Sequence, residues 1–195
     1  MLKLHAFALL LAALLVVPTQ AAFITSINGS DINTTYDSGT LTLNDTISLV
    51  IHYSDDTWTS YSNATFQFTA NLISSNGVTG TLGNGSYIIA DNASTILLSG
   101  QVHYLPLTLM FGGAILASGP GEVTLDSGTL LSEIPSGSSQ GNLITLLYNF
   151  NTGVVTDFRG SFEGATDASI LPIPEPTTLL ILGLGSLLLV GRKRA

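Results

Sequence analysis

The chain has 195 residues, thirteen of them acidic and five basic, a formal net charge of −8 and no cysteine. The length suits one domain able to bury roughly two-thirds of its surface, and the absence of cysteine excludes disulfide staples and a lipid-modified cysteine anchor. Arg159 is the sole basic residue between Ala22 and Pro176, where all thirteen acidic residues lie, which excludes nucleic acid and anionic lipid headgroups as partners of that stretch and removes lysine-based catalysis.

Residues 1–21 read as a signal peptide. Lys3 supplies the basic start, Ala6 to Val17 is an unbroken apolar run, and Pro18 ends it. Small residues at Thr19 and Ala21 place signal-peptidase cleavage between Ala21 and Ala22. The apolar run is too short for an ordinary membrane-spanning helix, so the expectation is export and removal.

Residues 22–168 then read as one all-β exported domain. Apolar and β-branched runs occupy 46–53, 64–73, 86–90, 95–111, 142–150 and 153–164. Phe66, Phe68 and Ala70 alternate with Thr65, Gln67 and Thr69, a period of two that buries one face of a strand. Phe158 and Phe162 alternate with Arg159, Ser161 and Glu163 in the same way. Between the runs lie SNG, GNGS, DNAS and GPGE, and Asn151-Thr152-Gly153 reads as a hairpin turn. The repeated DSGTL at 37–41 and 126–130 reads as a tight turn entering a strand rather than a duplication. The fold expectation is an antiparallel β-sandwich or jelly roll of about ten to twelve short strands, with an N-terminal signal helix and a C-terminal single transmembrane helix.

Chemistry-bearing residues are sparse in this domain. Gly137-Ser138-Ser139-Gln140-Gly141 matches G-x-S-x-G, but a strand follows it where a nucleophile elbow needs a helix, and both His52 and His103 precede it. His52, His103, Asp55 and Asp56 have no spacing that demands a metal. Asp31-x-Asn33-x-Thr35 opens like a calcium loop, yet Tyr36 stands where the sharp-turn glycine belongs, so Ca2+ is the one cofactor the acidic loops leave open. Glu122 and Glu163 are the strand-borne carboxylates a glycoside hydrolase would need to face each other. Trp58 and Tyr61, with Asp55 and Asp56, form the candidate ligand site: flat rings stack on sugar faces while carboxylates bind hydroxyls. Three T-x-T triplets lack the constant repeat an ice-binding face requires.

The end of the chain adds a Pro-rich spacer over 169–176, an uncharged apolar segment over 177–191 and a basic tail over 192–195. Sixteen helical residues from Pro176 to Gly191 would rise about 24 Å, short of the ~30 Å hydrocarbon core unless Arg192, Lys193 and Arg194 snorkel. Basic residues stay cytoplasmic, which sets the domain outside an inner membrane. Pro174-Glu175-Pro176, an apolar segment and a basic cluster, in that order, resemble the PEP-CTERM sorting signal, a tail model also labelled after ice-binding proteins. The resemblance implies a Gram-negative bacterium that makes extracellular polysaccharide and an exosortase that removes the tail. It also implies an exported protein held briefly at the inner membrane and then passed to the surface or matrix. The functional expectation is a structural or adhesive, non-enzymatic role with exopolysaccharide; the alternatives are a carbohydrate-binding module centred on Trp58 and Tyr61 and, third, a hydrolase.

Overall fold

Alternation of buried and exposed side chains is the rule along every long strand of the computed structural model, which describes residues 22–110, 113, 115–135, 138–148, 150 and 155–173. The signal helix, the Asn151 turn, Pro174-Glu175-Pro176, the transmembrane segment and the basic tail read from the sequence lie outside these residues. The strands are β1 (Ile24–Asp37), β2 (Thr40–Tyr53), β3 (Trp58–Ser75), β4 (Thr79–Ala90), β5 (Ile96–Met110), β6 (Ile115–Ser118), β7 (Gly121–Thr124), β8 (Gln140–Tyr148) and β9 (Phe162–Ile173). The hairpin joining β1 to β2 turns on Ser38 (φ 51°) and Gly39 (φ 87°). Two successive positive φ values match the twist of antiparallel strands, so the first DSG behaves as its sequence suggests. The second enters a 3-10 helix, Thr129–Glu133, through Gly128.

The sheet closes on itself, and the sandwich expectation is corrected to an eight-position antiparallel barrel. Strands β1 to β5 pair in sequence order, and β9 returns to pair with β1 on one side and β8 on the other. Strands β6 and β7 share one position between β5 and β8, interrupted at Gly119-Pro120, where proline has no N–H for a ladder. A sandwich of this composition would leave four sheet edges unpaired; closure removes them. The long strands supply the tilt that a small barrel demands, and register shifts in β1, β2, β3, β4 and β5 supply its curvature.

Inward positions are apolar and form one core: Leu41, Leu43, Leu49 and Ile51 from β2, Phe66 and Phe68 from β3, Leu82, Tyr87 and Ile89 from β4, with partners around the ring. Outward positions include rows of uncharged polar residues, as in the cross-strand row Thr35, Thr42, Thr69, Ser86 and Gln101, interspersed with exposed aliphatic residues such as Ile88 and Ile144. The apolar, filled interior is the reverse of the polar lumen of a membrane barrel. The expected strand over 153–164 is corrected in part: its last three residues open β9, and 153 and 154 lie outside the described residues. Residues 155–161 form a loop, and Phe158 and Phe162 are both buried because this loop stoppers the barrel mouth. There Tyr36 stacks on Phe162 with ring centroids 4.7 Å apart, Phe158 and Phe150 approach edge-on, and the Tyr36 hydroxyl donates to the Phe158 carbonyl at 3.0 Å. The opposite mouth is covered by residues 125–134, which bury Leu125, Leu130 and Ile134, and the Tyr53 hydroxyl donates to Glu133 there at 2.8 Å. Residues 169–173, read from the sequence as spacer, are the last residues of β9.

Candidate functional site

With the interior filled and both mouths covered, the outer wall carries the candidate site. Strand β1 pairs through Gly29 and resumes with β9 only at Ile32. Residues 30 and 31 therefore bulge, and Asp31 takes a left-handed conformation (φ 55°) that aspartate tolerates better than most residues. The bulge is held from β9 and β8. The Asp31 N–H donates to Asp167 Oδ1 at 3.1 Å, and the Tyr148 hydroxyl lies 2.5 Å from Asp31 Oδ1 and 3.2 Å from Asp167 Oδ1. Donation to Asp31, assisted by partial burial and the charge of Asp167, raises the Tyr148 hydroxyl well above its ordinary value of 10.0.

Beside the bulge a groove of about 350 Å³ crosses β2, β1, β9 and β8. Register explains its lining: Val50 faces Asn28, Asn28 faces Ser169, and Ser169 faces Ile144, all on outward positions. Asp167 and Leu146 form the next row. Val50, Ile144 and Leu146 make aliphatic walls, the latter two 42% and 40% exposed. Between them run Asn28, Ser169 and Asp167, with the exposed hydroxyls of Ser30 and Ser48 alongside. Asn28 is pre-set, accepting from Ser169 and donating to Ser26 Oγ at 3.0 Å. Among the described residues, no lysine, arginine or histidine lines the groove. Its donors and acceptors suit an uncharged hydroxylated ligand, and Asp167 repels an anion.

The raised Tyr148 pKa carries a pH prediction. A group favoured in its protonated form by folding contributes stability that is complete below its unfolded value near 10 and is lost as pH rises above that. Unfolding stability, followed by urea titration at successive pH values, should hold to about pH 10 and then fall, and Tyr148→Phe should make the fall shallower. An identical decline in both proteins counts against the Asp31 contact as its source.

The sequence-predicted site residues are only partly gathered. Asp55 and Asp56 sit exposed in the β2–β3 turn, where Asp55 Oδ1 accepts from Thr57 Oγ1 at 2.6 Å and Thr57 N at 3.1 Å. These bonds hold the Asp55 carboxyl below its ordinary range. Trp58, opposite His52, is 64% exposed, whereas Tyr61, opposite buried Leu49, packs against the core. The two rings therefore do not share a face. Glu122 pairs with Asn142, which pairs with Leu171, eight residues along β9 from Glu163. At ~3.3 Å per residue that sets the two carboxylates about 26 Å apart along the strand. Asp31, Asn33 and Thr35 lie within β1, not in a loop. Ala22 precedes β1 by two residues. The groove went unseen in the sequence because its four strands are separated by up to 141 residues, as in the Asn28–Ser169 contact. The polar Ser-Asp step after Gly29 was its one local sign.

A family model described as the PEP-CTERM protein-sorting motif matches residues 172–195. Searches of curated proteins and of solved structures give no match. The chain thus carries the signal for exosortase-dependent sorting to the cell surface, with export and transient membrane anchoring on the way. The motif begins at Pro172, inside β9, where Pro172 pairs with Gly141 and Ile173 with Gln140.

Proposed function

We propose that this is a sorted surface protein with a structural and adhesive role in the extracellular matrix, whose barrel wall holds uncharged sugar units of exopolysaccharide. The observation that carries the reading is the groove across β2, β1, β9 and β8, where the described residues form a polar strip of Asn28, Ser169 and Asp167 between aliphatic walls. Sugars present C–H faces and hydroxyls together, and such a strip answers both. The uncharged polar rows outside β2 to β5 extend the same chemistry around the wall. A sheet that closes on itself and so pairs most of its strand edges suits a protein that must persist outside the cell without disulfides.

Co-sedimentation of the full chain with neutral exopolysaccharide from its host tests this. Ser48 is exposed at the groove, so Ser48→Trp fills the groove while sparing the core. Retention should weaken about tenfold, the equivalent of ~1.4 kcal/mol. Retention unchanged by that variant, or no retention at all, rejects the groove as the contact.

A further inference from the structure

We infer that, while the chain is tethered, the tip of the β2–β3 hairpin rests in the headgroup layer of the membrane with Trp58 at the base of its turn. The register places this tip at the tethered end of the barrel. Ile170 of β9 pairs with Ile27, Ile27 with Ile51, and Ile51 with Thr59, so Trp58 lies one residue and Ile173 three residues beyond the same row. Pro174, Glu175 and Pro176 alone separate Ile173 from the apolar run that begins at Thr177. Four peptide links reach at most about 14 Å. Three strand spacings, also about 14 Å, separate β9 from β3 around the wall. The tip therefore cannot stand far from the bilayer surface when the apolar run is engaged.

The tip also projects. Strand β4 begins its pairing with β3 at Thr65, so residues 58–64 have β2 as their ladder partner and extend past the β4–β5 turn. Trp58 is 64% exposed there, next to exposed Thr57, Thr59 and His52. A lone indole flanked by hydroxyls matches the headgroup region, where tryptophan partitions with its N–H in water and its ring in the acyl boundary. Asp55 and Asp56 at the turn set the lipid preference: anionic headgroups repel them, so the partner surface is zwitterionic. The inference rests on the tether and on Trp58, and is independent of the groove's ligand.

Trp58 is the chain's single tryptophan and therefore its own reporter. The chain from Ala22 onward, without its signal peptide, is placed in phosphatidylcholine vesicles containing lipids brominated close to the carbonyls. Trp58 emission is expected to shift to the blue relative to detergent and to lose about half its intensity, the response of a ring at headgroup depth. Enrichment in phosphatidylglycerol should weaken both changes. A flexible Gly-Ser insertion after Ile173 should cut the quenching several-fold by freeing the tip from the short tether. Unshifted, unquenched emission overturns the inference, as does quenching that survives the insertion undiminished. Emission that instead responds to maltotriose in detergent assigns the tip to sugar and overturns it equally.

Discussion

Replacing Phe162 with alanine should lower the unfolding free energy by about 3–5 kcal/mol, the range for large aromatic truncations in a filled core. Phe162 is 1% exposed, lies face to face with Tyr36 and takes the edge of Phe150. Its backbone also forms the first rung between β9 and β1, opposite Tyr36. Truncation leaves a cavity where the loop carrying Phe158 seals the barrel. Urea titration should show the midpoint falling with an unchanged slope, as for lost stability without loss of two-state behaviour. Tyr36→Phe keeps the stack and removes only the bond to the Phe158 carbonyl, so it should cost about 1 kcal/mol. If the two variants destabilise equally, the ring stack is not what holds the mouth closed.

The second large effect comes from adding a single methyl group. A Cβ on Gly85 would lie 1.9 Å from the Thr69 carbonyl oxygen and 2.7 Å from the Ala70 Cα. Backbone, unlike a side-chain end, cannot swing aside, so β3 and β4 must separate where a register shift already bends them. Gly85→Ala should cost about 3 kcal/mol, the upper part of the range for overpacked sites. Gly160, with no atom within 4 Å of its added Cβ, is the matched control and should tolerate alanine. Thermal unfolding of the pair decides the matter: similar midpoints would mean that the barrel wall is more pliable than the close approach implies.

The strands that bury one face were readable because alternation is a local property. Phe66, Phe68 and Ala70 are buried in β3 as their spacing predicts. Strand β1 was not readable, because its bulge breaks the period and Asn28, Ser30, Asp31 and Asn33 make it look like loop. Closure was equally hidden. It depends on Ile27 meeting Ile170 and Tyr36 meeting Phe162, pairings more than a hundred residues apart that no local pattern encodes. The same non-locality concealed the groove, whereas the sorting signal was legible because it is a contiguous run of residue types. Phe158 misled for a different reason: two buried aromatics four residues apart fit a strand, but here one belongs to a stopper loop and the other to β9. Trp58 and Tyr61, three residues apart, fall on opposite sides of β3, as strand geometry requires and proximity in sequence disguises.

The last two residues of strand β9 are already part of the sorting motif, and this has a mechanical consequence. Anything that holds the chain from its C-terminal side pulls on Ile173 along the axis of β9. That strand is laced on one flank by eight residue pairs to β1 and on the other by nine to β8. Tension in this direction loads the two ladders in shear, so many rungs share it at once and none is peeled in turn. A barrel hung from its closing stave can transmit drag to its anchor and keep its shape.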